Sequence, residues 1–85
     1  MDIQELRNEI DKIDEQLIRL FGERMDISAK VAKYKKQHNL PIYDPAREKE
    51  ILDKLSAKVN SEREEAITKL YMLLFELSKA EQEKS

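Results

Sequence analysis

The chain has 85 residues, 40% of them charged and 40% hydrophobic, with one Gly, two Pro, no Cys and one histidine, His38. No disulfide, thiolate zinc site, histidine metal cluster or Ser-His-Asp arrangement can be assembled from this set, so catalysis through an activated nucleophile is set aside and neither cofactor nor metal is expected. Sixteen Lys and Arg against eighteen Asp and Glu, net charge −2, argue against a strongly basic nucleic-acid binder. No apolar run approaches the roughly 20 residues of a membrane span, and Met1 to Glu5 lack the regions of a signal peptide, which points to the cytoplasm.

Apolar residues set the first element. From Ile3 the series Leu6, Ile10, Ile13, Leu17, Leu20, Ile27, Val31 and Tyr34 advances in steps of three and four, which predicts one helix from about Asp2 to Gln37 with a heptad seam. Gly22 is its only interior weakness. His38 to Tyr43 break the pattern. Asp44-Pro45 reads as an N-cap followed by Pro at the first helical position, and Ile51, Leu52, Leu55 and Val59 mark one face of the second helix. Ser61-Glu62-Arg63-Glu64 has the form of a capping box, so a third helix is predicted with Ser61 as N-cap, carrying Ile67, Leu70, Tyr71, Leu73, Leu74, Phe75 and Leu77 and ending near Glu83. The expectation is an all-α fold of one long helix and two shorter ones, forming a single domain over residues 1–85.

Length makes the first helix informative. Some 36 residues at about 1.5 Å each give a rod of roughly 54 Å, against a diameter of about 30 Å for an 85-residue globule. One chain cannot cover such a seam, and an intertwined homodimer is the simplest closed solution.

Polar residues interrupt the apolar rows at specific places. The heptad step between Leu20 and Ile27 lands on Arg24, a cation that either snorkels, pairs internally or awaits an anionic ligand. Lys35 lies about 20° round the helix from it, with Ser28 and Val31 between. Ser78 and Gln82 extend the row of Ile67, Tyr71 and Leu74, as a frayed polar end or as hydrogen-bonding groups of a site. Arg47 and Glu48 lie one turn before Ile51 and Leu52, either as an exposed ion pair or facing the interior. Arg7 is about 25 Å along the rod from Arg24, so it reaches the same site only from an antiparallel partner helix. Several cations with one carboxylate and neutral donors suit a small dianion carrying a hydroxyl.

The run Leu6 to Leu17, then Glu23-Arg24, Val31-Ala32-Lys33-Tyr34-Lys35, Pro41 to Glu48, and Ser78 with Gln82 resembles the all-helical class of chorismate mutases over essentially the whole chain. The resemblance implies an intertwined dimer of three-helix subunits acting on chorismate without a cofactor, in phenylalanine and tyrosine biosynthesis. It implies that Arg7 is donated across the interface, that Arg24, Lys35 and Arg47 complete the cationic lining, and that Ser78 assists at a carboxylate. Glu48 and the Asp44 region would hold the ring hydroxyl, and Lys35 and Gln82 the ether oxygen, making Lys35, Gln82 and Glu48 the catalytic set.

Such a reaction is a Claisen rearrangement, in which a C–O bond breaks as a C–C bond forms with no proton transfer. It needs a held conformer and stabilised charge on the ether oxygen. Competing readings are an isochorismate pyruvate-lyase on the same scaffold and a non-catalytic helical module, whose seam positions 24, 35 and 82 need not be polar. Lys30, Lys33, Lys35 and Lys36 form a basic cluster, read as a solvated face with Lys35 turned inward. At 85 residues a monofunctional enzyme without a feedback domain is expected.

Overall fold

Three helices, α1 (Ile3–Gln37), α2 (Pro45–Lys58) and α3 (Glu64–Glu83), account for most of residues 1–84, the part of the chain described by the computed structural model. No strand occurs among the described residues. The Asp2 side chain accepts the Glu5 amide at 2.8 Å and starts α1. At the other end Asn39 adopts a left-handed backbone with φ 55°, so the Leu40 amide reaches the Lys35 carbonyl at 2.8 Å and the Asn39 amide the Lys36 carbonyl at 3.4 Å. Asn tolerates this conformation because its short polar side chain bonds locally. The turn reverses the chain into the segment 38–44, which ends at Asp44. Its Oδ1 accepts the Arg47 amide at 3.1 Å and caps α2, with Pro45 at the first helical position.

The third helix begins later than its sequence suggests. Ser61 is not its N-cap: residues 61–63 form a turn and Arg63 is the capping residue, without a side-chain bond. The carboxylate that a capping box requires is engaged elsewhere, since Ser56 Oγ of α2 donates to Glu64 Oε1 at 2.9 Å. Asn60 takes up the loose amide instead, its Oδ1 accepting from Arg63 N at 3.2 Å.

Packing is sparse. α3 lies against α1 and α2 against α3, whereas α1 and α2 share no packed face. Among the described residues only Ala32 and Phe75 are buried apolar side chains, each 5% exposed. The radius of gyration is 16.0 Å with a long dimension of 54 Å, compared with about 12 Å for a compact chain of this length. The rod expected from the heptad seam therefore stands free over its first half, where Ile10, Ile13 and Leu17 are each more than half exposed. Helix α3 is apolar on two sides. Ile67, Tyr71, Leu74 and Phe75 turn toward the chain's own helices, while Leu70, Leu73 and Leu77 face outward.

Candidate active site

The heptad position filled by Arg24 meets α3 at Ser78. Arg24 Nη1 donates to Ser78 Oγ at 2.6 Å, and the Arg24 guanidinium stands 6.0 Å from the Tyr71 ring centroid. Ser28 Oγ, one turn along α1, also donates to Ser78 Oγ, at 3.2 Å. A hydroxyl has two acceptor lone pairs and one O–H donor. With Arg24 and Ser28 donating to its oxygen, the Ser78 hydroxyl retains its own O–H as a donor. No carboxylate of the described residues pairs with Arg24. A cation and a neutral donor thus converge on one point, an arrangement suited to a ligand carboxylate.

These groups form one wall of a cavity of about 330 Å³, at the lower end of the range for small-molecule sites. Arg24, Lys35, Asp44, Arg47, Glu48, Ser78 and Gln82 all line it. Arg7 does not; it lies on the exposed first half of α1. Ser78 and Gln82 are buried rather than frayed. Gln82 Oε1 is the one buried side-chain polar atom among the described residues without a partner, a standing cost of about 1–3 kcal/mol.

Lys35 is held in place by the loop, its Nζ donating to the Ile42 carbonyl at 2.7 Å. An ammonium has three donors, so two remain for the cavity that this side chain lines. Lys30, Lys33 and Lys36 remain on the surface of α1 away from this cavity. Arg47 and Glu48 separate. The Arg47 guanidinium pairs with Glu50 on the exposed side of α2, and Glu48, only 21% exposed in its side chain, pairs with Lys79 of α3 at 3.3 Å. Lys79 also lines the cavity and is absent from the residues singled out in the sequence. Its signal was available: it follows Ser78 and precedes Gln82 by three, so it shares their side of α3.

The sequence matches the pattern of chorismate mutase type II over residues 6–83. This chain belongs to the chorismate mutase type II family. The solved chorismate mutase (Form II) of Thermus thermophilus superposes on this family member with a TM-score of 0.92 at 33% identity, covering 98% of this chain and 96% of that one. The chorismate mutase of Methanocaldococcus jannaschii is 36% identical over 80 residues, 92% of this chain and 81% of its own length. A bifunctional chorismate mutase/prephenate dehydratase of Aquifex aeolicus is 44% identical over 54 residues, 64% of this chain. Those residues amount to 15% of the Aquifex protein.

Proposed function

We propose that the chain converts chorismate to prephenate in aromatic amino acid biosynthesis, as an intertwined homodimer without a cofactor. The observation that carries the reading is the lining of one small cavity: four cations, a serine that already accepts from Arg24 and Ser28, a buried amide, and no histidine to activate a nucleophile. Arg24 and Ser78 form the receptor for one carboxylate. Arg47 supplies a further cation once it leaves Glu50. Lys35, preset by the Ile42 carbonyl, and Gln82 donate to the ether oxygen as the C–O bond breaks and negative charge grows there. Preset donors of this kind cost no reorganisation at the moment of reaction. Asp44 and Glu48 accept from the ring hydroxyl, so the clamps and acceptors together hold the enolpyruvyl arm over the ring.

The dimer follows from what one chain leaves uncovered. The seam of α1 and the Leu70, Leu73, Leu77 stripe of α3 expose far more apolar surface than a chain with two fully apolar core residues can repay. A second copy running antiparallel covers both and carries its Arg7 to the cavity beside Arg24. No helix among the described residues is long and apolar enough to cross a membrane; the reading places the enzyme in the cytoplasm.

The test is direct. Incubation of the purified protein with chorismate, followed by NMR, is expected to show loss of chorismate and stoichiometric appearance of prephenate. Absence of prephenate, or release of salicylate and pyruvate from isochorismate as the only activity, overturns the reading.

A further inference from the structure

Glu48 has one ion-pair partner among the described residues, Lys79 at 3.3 Å. The other cations around the cavity are committed elsewhere: Arg24 to Ser78, Lys35 to the Ile42 carbonyl and Arg47 to Glu50. Asp44, the second carboxylate of the lining, makes no ion pair among the described residues, and one of its oxygens is held by the Arg47 amide. Lys79 has a second contact, with the loop. Its Nζ stands 4.7 Å from the centroid of the Tyr43 ring, a distance at which a cation is attracted to the ring face. The ammonium is therefore clasped between the loop that joins α1 to α2 and the first turn of α2, with its side chain one third exposed.

We propose that Lys79 sets substrate specificity by neutralising Glu48, so that this end of the cavity receives a neutral hydroxyl and rejects a cationic amino group. A carboxylate has about four lone-pair sites, and the pair with Lys79 leaves Oε1 free to accept from a hydroxyl. A ligand ammonium at the same place gains little from a carboxylate whose charge is already matched, and meets the like charge of Lys79 within a few ångströms. Like charges at such range disfavour one another strongly in a partly buried site. The inference rests on the reading that Glu48 faces the ring hydroxyl of chorismate. Lys79 acts through Glu48 and is a positioning residue, not a catalytic one.

The experiment compares kcat/KM for chorismate and for its 4-amino analogue, in which an ammonium replaces the ring hydroxyl, in the wild type, Lys79→Met and Lys79→Arg. The wild type is expected to prefer chorismate. Lys79→Met shifts the ratio toward the amino analogue by about tenfold or more, and Lys79→Arg, which keeps the charge, leaves it near the wild-type value. Tyr43→Leu provides a second route, loosening Lys79 without removing it, with a shift of about two- to fivefold in the same direction. In a Glu48→Gln background, with no carboxylate left to match, Lys79→Met moves the ratio less than in the wild type, by the like-charge repulsion alone. A loss of stability alone lowers both activities together and does not change it. A ratio unmoved by Lys79→Met and Tyr43→Leu, or a wild type that prefers the amino analogue, overturns the inference while leaving the mutase reading intact. A wild type inert toward both substrates overturns that reading and this inference with it.

Discussion

Arg24 on α1 donates to Ser78 on α3 across 2.6 Å, joining two helices at the point where an apolar core contact would otherwise stand. The bond holds the guanidinium without neutralising it. Ser78→Ala removes both the hold and one donor, and is expected to lower kcat/KM about tenfold, mainly through KM. Arg24→Ala removes the charge and is expected to cost about 10²–10³-fold. Steady-state kinetics with both variants checks the order; Ser78→Ala as damaging as Arg24→Ala would contradict it.

Lys35 Nζ holds the Ile42 carbonyl and, in the proposed mechanism, serves the ether oxygen as well. Lys35→Ala frees the part-buried Ile42 carbonyl and deletes the donor proposed for the ether oxygen. The expected loss is about 10²–10³-fold in kcat with a modest change in melting temperature. Near-wild-type turnover in this variant would sink the proposed mechanism.

Arg7 and Arg24 lie far apart on one rod, so the proposed site needs two chains. Arg7→Ala and Arg24→Ala are each expected to be nearly inactive. A two-fold dimer of one of each has one site carrying both changes and one carrying neither, so an equimolar, re-equilibrated mixture should recover about a quarter of wild-type activity. A mixture as inactive as its components rules out sharing.

The scarcity of core makes Phe75 disproportionately important. It is one of only two buried apolar side chains among the described residues and meets Tyr71 edge-to-face with centroids 6.1 Å apart. Phe75→Ala is expected to destabilise by about 3–5 kcal/mol, read as a lowered denaturation midpoint and loss of the folded state at mild denaturant. A shift of less than about 1 kcal/mol would show that the contact contributes little.

Glu50 tethers Arg47 away from the cavity. Hydrogen bonds from Lys54 and then from Arg47, with their charges, hold its carboxyl below the usual carboxylate range. A depressed pKa means that the pairing is present above the ordinary range and is lost as pH falls through the lowered value. Glu50 is exposed, so the effect on folding is slight. The effect on Arg47 is measurable: Glu50→Gln is expected to lower KM at neutral pH by no more than about fivefold. The difference from wild type should vanish as acid protonates Glu50, and a KM unchanged at neutral pH would show that the tether is without consequence.

Much of this molecule is legible in its sequence. The heptad steps, the Asp44-Pro45 start and the polar substitutions at Arg24, Lys35, Ser78 and Gln82 are local or periodic signals, and local geometry alone decides which face of a helix each residue occupies. The same reasoning places a rod of about 54 Å beside too little chain to cover it, and the structure shows that rod with its seam exposed.

Partner choice is another matter. Adjacent Arg47 and Glu48 suggest a common fate, yet one pairs outward with Glu50 and the other across the cavity with Lys79. Ser61 and Glu64 have the spacing of a capping box, yet Ser56 of α2 takes the glutamate. In each case the sequence offers several hydrogen-bonding partners of similar strength, and the winner is the one that helix packing brings within about 3 Å. Periodicity determined the helices, their faces and the polar groups available between them; only the docking of α2 and α3 decided which charges meet, because that depends on contacts between elements that no local pattern encodes.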